Sequence, residues 1–238
     1  MTAAVDLKID GNLAMARLDS GENRFNPEFL QQFLKTLDQI ENDTGATTLL
    51  VYSGHEKIFS NGLDLDWLVP VLQRNDLQSA KAFFYRLNQV FKRLITYPLV
   101  TVAAINGHAF AGGAIFCCAF DFRFMRSDRG YFCLPEVDLG IPFLPGMNAL
   151  LSSVIPPHLL RLMQYTGVRL TGRQCAENNI VLQACPPDSL LDTAMEFARG
   201  VDKKRAVVKE LKLRLNKSII HALDVEDVPY IESGNYNI

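Results

Sequence analysis

Three short segments hold most of the residues that could do chemistry: Lys57-Ile58-Phe59-Ser60-Asn61-Gly62-Leu63-Asp64-Leu65, Asn106-Gly107-His108-Ala109-Phe110-Ala111-Gly112-Gly113-Ala114 and Leu134-Pro135-Glu136-Val137-Asp138-Leu139-Gly140-Ile141-Pro142. Each falls at the end of a predicted strand. In the second, paired glycines ahead of an apolar run let the backbone approach a ligand closely, and they leave the first N–H groups of the following helix without partners. Those donors suit an anion; close helix–strand packing explains the same glycines equally well. The spacing is not GxGxxG, so a dinucleotide site has little support. In the third, Glu136 stands in a mostly apolar stretch. Burial there would raise its pKa and suit a proton-transferring group near neutral pH, while a solvated loop glutamate is the plain alternative. Asp64 and Asp138 read as turn-stabilising or capping side chains. His108 lies in the glycine turn without an evident partner and reads as structural, as do His55, His158 and His221.

These segments need strands and helices to hold them. Residues 5–18 alternate apolar and polar and break at Asp19-Ser20-Gly21, the pattern of an antiparallel strand or hairpin. Asn26-Pro27 then announces a helix, with Phe29, Leu30, Phe33, Leu34, Leu37 and Ile40 at helical spacing up to Thr44-Gly45. A strand over 47–52 follows. A second helix spans 77–95, with Ala80, Phe83, Phe84, Leu87, Val90, Phe91 and Leu94 on one face. The β-branched run 99–105, bounded by Pro98 and Asn106-Gly107, reads as a buried strand. Residues 115–120 continue as a buried helix, 122–125 and 131–134 as short strands, and helices dominate from Met147. A last strand is expected at 180–184, and final helices at 189–200 and 203–221. The alternation of strands and helices predicts an α/β fold.

Composition narrows the function. The chain has 238 residues, of which 48% are hydrophobic, and can bury a sizeable core as one domain, with at most a small helical appendage. A formal charge of −2 with interspersed signs offers no basic stripe for nucleic acid. The five cysteines, Cys117, Cys118, Cys133, Cys175 and Cys185, form no CxxC and read as buried free thiols rather than disulfides or zinc ligands. The first 17 residues carry charges and no continuous apolar segment, so neither a secretory signal nor a membrane span is expected. The C-terminal Tyr236-Asn237-Ile238 is not a peroxisomal tripeptide of the SKL type, and a cytoplasmic location is the simplest expectation.

Taken together, the three segments resemble the enoyl-CoA hydratase/isomerase (crotonase) superfamily, over about residues 5–221. Phe59-Ser60-Asn61-Gly62-Leu63-Asp64 is similar to the family's F-S-x-G-x-D loop, which implies one oxyanion-hole N–H at Leu63. Asn106-Gly107 with Gly112-Gly113 is similar to its N-G-x-x-x-G-G-G turn, which implies the other at Gly112. Ala114 replaces the third glycine. The P-E-x-x-L-G segment puts a catalytic carboxylate at Glu136, whereas the second glutamate of hydratases falls on Ile115 and is missing. The resemblance is most marked to Δ3,Δ2-enoyl-CoA isomerases, through Asn23-Arg24-Phe25-Asn26-Pro27, residues 59–67, and Phe124-Met125-Arg126-Ser127-Asp128-Arg129-Gly130 with Glu136-Val137-Asp138-Leu139-Gly140.

The resemblance implies stacked ββα units over 1–190 and a helical trimerisation region over 191–238, assembled as a trimer or a pair of trimers. It implies an acyl-CoA substrate contacted by Phe25, Lys57, Ser60, Asn61, Asp64, Leu65, Gly113, Pro135 and Leu139. Arg24, Lys57, Lys212, Arg214 and Lys217 are candidates for the CoA phosphates, against a reading of each as a solvated charge. Trp67 packs against or lines the acyl tunnel. No metal or redox cofactor is implied. Other crotonase reactions (hydration, decarboxylation, thioester hydrolysis) and a silent acyl-CoA-binding protein are the alternatives.

Overall fold

The computed structural model describes residues 4–236, so Asn237 and Ile238 of the C-terminal tripeptide and the first three residues lie outside the described part. The chain opens with a hairpin of β1 (Val5–Asp10) and β2 (Leu13–Leu18), followed by helix α1 (Pro27–Asp43). Asn26 caps α1 as its side chain accepts from the Phe29 N–H, and Pro27 supplies a preset φ at the first position.

Three units then repeat one plan, each laying a strand in a large sheet, a strand in a small one, and a helix. The first is β3 (Thr48–Ser53), β4 (Ile58–Ser60) and the helices α2 (Leu65–Gln73) and α3 (Leu77–Ile95). The second is β5 (Val100–Ile105), β6 (His108–Phe110) and α4 (Gly112–Cys118); the third is β7 (Phe122–Arg126), β8 (Phe132–Cys133) and the single turn α5 (Glu136–Leu139). The remainder comprises α6 (Pro145–Val154), α7 (Pro157–Thr166), β9 (Arg169–Leu170), α8 (Gly172–Glu177), β10 (Gln183–Cys185), α9 (Leu190–Gly200), α10 (Arg205–Leu215), α11 (Lys217–His221) and α12 (Val228–Ser233). A π-helical turn joins α11 to α12. The expected α/β architecture of stacked ββα units with a helical C-terminal region is the one observed.

The large sheet runs β1-β2-β3-β5-β7-β10, parallel except for the β1–β2 hairpin. The small sheet runs β4-β6-β8-β9, with β4, β6 and β8 parallel. The large sheet's central strands are apolar on both faces because both are covered. Ala14, Leu49, Val51, Ala103 and Ile105 face the main core with α1, α3 and α4, and Leu13, Leu50, Val102, Ala104 and Phe124 face α9. Since α9 seals one face of this sheet, the 190/191 division falls at the edge of a helix that packs on the strands rather than at a linker.

Some elements differ from expectation. The strand expected at 180–184 forms at Gln183–Cys185, after the backbone of Ile180 and Val181 has turned back to the α8 residue Cys175. The helix expected at 203–221 breaks at Asn216, whose side chain donates to the Ile95 carbonyl. Lys212, a candidate for CoA phosphate, is instead a buried strut: its ammonium sits 2.6 Å from Asp121 and 2.8 Å from the Leu99 carbonyl. Helix α2, with Pro70 inside it, was not expected. Among the described residues, no helix is long and apolar enough to cross a membrane, and all five cysteines are free and buried.

An aromatic cluster ties the helix carrying the glycine turn to the rest. Phe116 on α4, fully buried, meets the rings of Phe25 at 5.4 Å, Phe33 at 5.2 Å, Phe59 at 6.4 Å and Phe120 at 5.0 Å. Phe116→Ala is expected to destabilise the fold by about 3–5 kcal/mol, from lost transfer energy and the cavity left behind. Urea denaturation of the two proteins measures this.

Candidate active site

The parallel pairing of β4 with β6 brings their C-terminal ends out side by side, Ile58 opposite His108 and Ser60 opposite Ala109. From β4 the chain runs through Gly62 to Leu63, which forms a parallel bridge with Phe25. In that bridge Phe25 N–H donates to the Gly62 carbonyl at 2.7 Å and Asp64 N–H to the Phe25 carbonyl at 3.0 Å. Successive N–H groups of an extended segment alternate in direction, so the Leu63 N–H between them points away from Phe25. From β6 the chain passes Ala111, held at φ 51° and ψ −126°, and enters α4 at Gly112. Such a φ is costly for alanine and occurs in tight turns and at functional sites. As the first residue of the helix, Gly112 has an N–H without an intrahelical partner. Among the described residues neither the Leu63 nor the Gly112 N–H has an assigned acceptor.

The two donor segments touch backbone to backbone. A Cβ on Gly62, already at φ 73°, would lie 2.5 Å from the Gly112 nitrogen, and one on Gly113 would lie 2.2 Å from the Ser60 carbonyl oxygen. Here glycine is required by close approach, as the helix–strand packing reading of the paired glycines expects, and the same approach sets the two segments side by side.

Both donors line a cavity of about 200 Å³ with Glu136 and Ile115. Its remaining wall is largely apolar: Leu65 and Phe84, then Leu139 to Met147 in part, with Asn61, Tyr230, Asn235 and Tyr236 as further polar or amphipathic groups. Glu136 opens the one-turn helix α5 and is 6% exposed, and its Oε2 has no hydrogen-bond partner. Burial pushes its carboxyl from 4.5 up to about 8, against a smaller opposing pull from its own backbone N–H. The solvated-loop alternative for this glutamate therefore does not describe it. Among the described lining residues it is the one carboxylate.

The other expected contacts divide. Asn61, Leu65 and Leu139 line the cavity. Phe25, Ser60, Asp64, Gly113 and Pro135 do not, and their side chains or backbones brace the site instead. Phe25 is buried in the aromatic cluster. The Ser60 hydroxyl, fully buried, donates to the Asn23 carbonyl and accepts from Gly62 N–H. The Asp64 carboxylate accepts from Asn26, and the Pro135 carbonyl accepts from Asp138 and Leu139 N–H. Lys57 is exposed outside the cavity. Trp67 packs on Phe83 at 5.1 Å and does not line the cavity. His108 meets Phe110 edge-on and a tilted Tyr131 ring, its pKa lowered by burial and then by Arg169. No cluster of three or more His, Cys, Asp or Glu side chains that could hold a metal occurs among the described residues.

The enoyl-CoA hydratase/isomerase family model matches residues 9–230. The chain belongs to the enoyl-CoA hydratase/isomerase family. Its relatives include the peroxisomal enoyl-CoA delta isomerase 1 of Arabidopsis thaliana, 33% identical over 90% of this chain and 88% of that protein. They also include a putative enoyl-CoA hydratase of Thermus thermophilus, 31% identical over 90% of this chain and 82% of that one. The crystal structure of an enoyl-CoA hydratase/isomerase family protein from Pseudomonas syringae superposes with a TM-score of 0.88 at 20% identity, covering 96% of this chain and 97% of that one. Enoyl-CoA hydratase/isomerase membership thus rests on sequence, with the fold in agreement.

Sequence reasoning did not anticipate the cavity residues Phe143, Met147, Tyr230, Asn235 and Tyr236. Phe84 was legible as part of an apolar helix face, which carries no mark of a ligand wall.

A buried carboxyl titrating near 8 makes a prediction about stability. Between 4.5 and about 8 the folded protein keeps a proton that the unfolded chain releases, so this group's contribution to stability declines as pH rises through that window. Relative to Glu136→Gln, the wild type is expected to lose a few kcal/mol from pH 5 to 9, at about 1.4 kcal/mol per pH unit. Parallel denaturant titrations of both proteins across that range measure the difference, in which all other titrating groups cancel.

Proposed function

We propose that this protein is a Δ3,Δ2-enoyl-CoA isomerase, converting a 3-enoyl-CoA to the 2-enoyl-CoA. The observation that carries this reading is the cavity's single carboxylate. Glu136 is present, and the position where the family's hydratases have a second glutamate is Ile115, which lines the same wall as an apolar group. Hydration needs one group to activate water and another to manage the α-proton. Double-bond migration needs one base that takes a proton from C2 and returns it at C4. The name of the Arabidopsis relative agrees with this choice.

In this mechanism the thioester oxygen accepts from the Leu63 and Gly112 N–H groups. Glu136, as the carboxylate, removes a C2 proton and the electrons spread over the dienolate, with negative charge on the oxygen. The carboxylic acid so formed delivers the proton to C4 and leaves the conjugated thioester. Each preorganised donor is worth about 3 kcal/mol to such a transition state, and the base roughly a further 10²–10⁴-fold. The apolar wall keeps water from the dienolate and holds Glu136 near the pKa its task needs. The reading calls for no metal or redox cofactor, since CoA is the substrate's handle. Lys57 is available to the CoA phosphates, while Arg24 is engaged by Glu22 and Asp66. Five buried thiols suit a reducing compartment such as the cytoplasm.

Glu136→Gln is expected to abolish conversion of a 3-enoyl-CoA and to leave acyl-CoA binding within a few-fold, because the amide keeps the shape but cannot take the proton. Absorbance of the conjugated product and calorimetric binding test this. In the wild type, kcat/KM should rise about tenfold per pH unit and level off near pH 8, where the free carboxyl ionises. Wild-type turnover in the variant would remove Glu136 as the base. Efficient hydration of a 2-enoyl-CoA by the wild type would favour a hydratase.

The assembly we propose is a trimer or a pair of trimers. Val207, Leu211 and Leu215 repeat every four residues along α10 and are 54%, 63% and 82% exposed, an apolar stripe suited to a second copy of the chain. Analytical ultracentrifugation should show the oligomer and its loss in Leu211→Glu/Leu215→Glu. A stable wild-type monomer would exclude it.

A further inference from the structure

The Leu63 N–H is effective only if the loop after β4 is held still; beside the bridge to Phe25, a set of hydrogen bonds from β4 and this loop converges on one buried residue. Asn23 is fully buried and takes φ 51°, a left-handed conformation that asparagine adopts more readily than most residues. Its side chain accepts from Ser20 N–H at 3.0 Å and donates to Ser53 Oγ at 2.8 Å and the Phe59 carbonyl at 2.9 Å. Ser53 in turn donates to the Ile58 carbonyl at 2.7 Å. The Asn23 carbonyl accepts the Ser60 hydroxyl at 2.7 Å, and that hydroxyl accepts Gly62 N–H at 3.2 Å. Three consecutive residues of β4 are thus tied to Asn23, Ile58 through Ser53, and the last of them holds the Asn61–Gly62 peptide, one before the peptide that carries the Leu63 N–H. On its other side the Ser60 carbonyl presses against Gly113, next to the second donor.

We propose that Asn23 and Ser60 are positioning residues for thioester polarisation, a relay that sets the Leu63 N–H against the Gly112 N–H without touching substrate. Both are fully buried, neither lines the cavity, and the Ser60 hydroxyl has spent its donor on Asn23 and one lone pair on Gly62. The inference rests on the oxyanion reading of Leu63 and Gly112 and extends it to residues outside the cavity. An error of about 1 Å in such a donor costs on the order of 10²-fold in rate, so hydrogen bonds this far from the substrate can control turnover.

The test separates polarisation from simple binding. An aryl-conjugated enoyl-CoA with a para-amino donor absorbs at longer wavelength when its carbonyl is polarised, so its red shift on binding reads the two N–H groups directly, without turnover. A saturated acyl-CoA reads binding alone. Ser60→Ala removes both hydroxyl bonds at little change in volume, and Asn23→Gly removes the side chain while tolerating the positive φ. Each variant is expected to keep its circular dichroism spectrum and to bind the saturated acyl-CoA within about threefold, yet to lose at least half the red shift and about 10–100-fold in kcat. The double variant should lose little more than the worse single one, because both act through one relay. A wild-type red shift and kcat in folded Ser60→Ala and Asn23→Gly would overturn the proposal. So would losses that merely track weaker binding of the saturated acyl-CoA. No red shift in the wild type would overturn the oxyanion reading itself, and this inference with it.

Discussion

The backbone of Gly62 lies so near that of Gly112 that a Cβ on Gly62 would sit 2.5 Å from the Gly112 nitrogen, and the site depends on this contact. Two N–H groups stabilise one developing oxyanion only if both point at it, and side chains between the two segments would force them apart. The small sheet brings the segments together by setting β4 parallel to β6, so that both strands deliver their ends to the same side. The large sheet then needs β3 and β5 as neighbours, since each feeds one of those strands. The topology of the core and the spacing of two peptide groups are thus one constraint at two scales. The positive φ of Ala111 lies at the same junction, where the chain turns from β6 into α4 with the Ala111 N–H held by the Cys133 carbonyl.

The same apolar surroundings that would suit an acyl chain act on the carboxylate among them. Glu136 gains no compensating cation and leaves Oε2 unpaired, an arrangement that opposes its ionisation and weakens the fold at high pH. Lys212 is the contrast. It too is buried, but Asp121 and the Leu99 carbonyl satisfy it, and it pins α10 to the core. The paired charge serves the fold, whereas the carboxyl left unpaired in a cavity beside two N–H groups without acceptors is the arrangement on which the proposed proton transfer rests.

What was legible in the sequence had a local cause. The hairpin over 5–18 declared itself by alternation, α1 by Asn26-Pro27 and its apolar spacing, α3 by nineteen residues with one buried face. The glycine turn and Glu136 stood out because close approach demands glycine and a carboxylate in an apolar stretch is conspicuous, whereas Leu63 and Gly112 were singled out as donors by the family resemblance alone, since a backbone N–H leaves no mark in residue type. Ser60 was expected to contact substrate through the resemblance of its loop, and its burial and its two bonds, to Asn23 and Gly62, turn it to the loop instead. Helix α2 escaped notice because Pro70 interrupts its pattern, and α5 because a single turn has no period to detect.

The acyl wall was illegible for a deeper reason. Tyr230, Asn235 and Tyr236 reach the cavity from the chain's end because the Asp227 carboxylate, fully buried, accepts from Gly146 N–H and from Asn88, both at 2.7 Å. Burial pushes that carboxyl up and those two donors pull it back, so the anchor holds by balancing desolvation with hydrogen bonds. Outside it, Glu232 takes Lys81 at 2.8 Å and Tyr85 at 2.7 Å, and Tyr236 stacks on Phe84 at 4.5 Å. No residue type is obligatory on such a wall; any apolar or amphipathic group of the right volume will serve. On the proposed function, the chemistry of this site would therefore rest on a few peptides and one carboxylate whose identities are constrained, whereas the fit to a particular acyl chain would rest on contacts that only the closed fold creates.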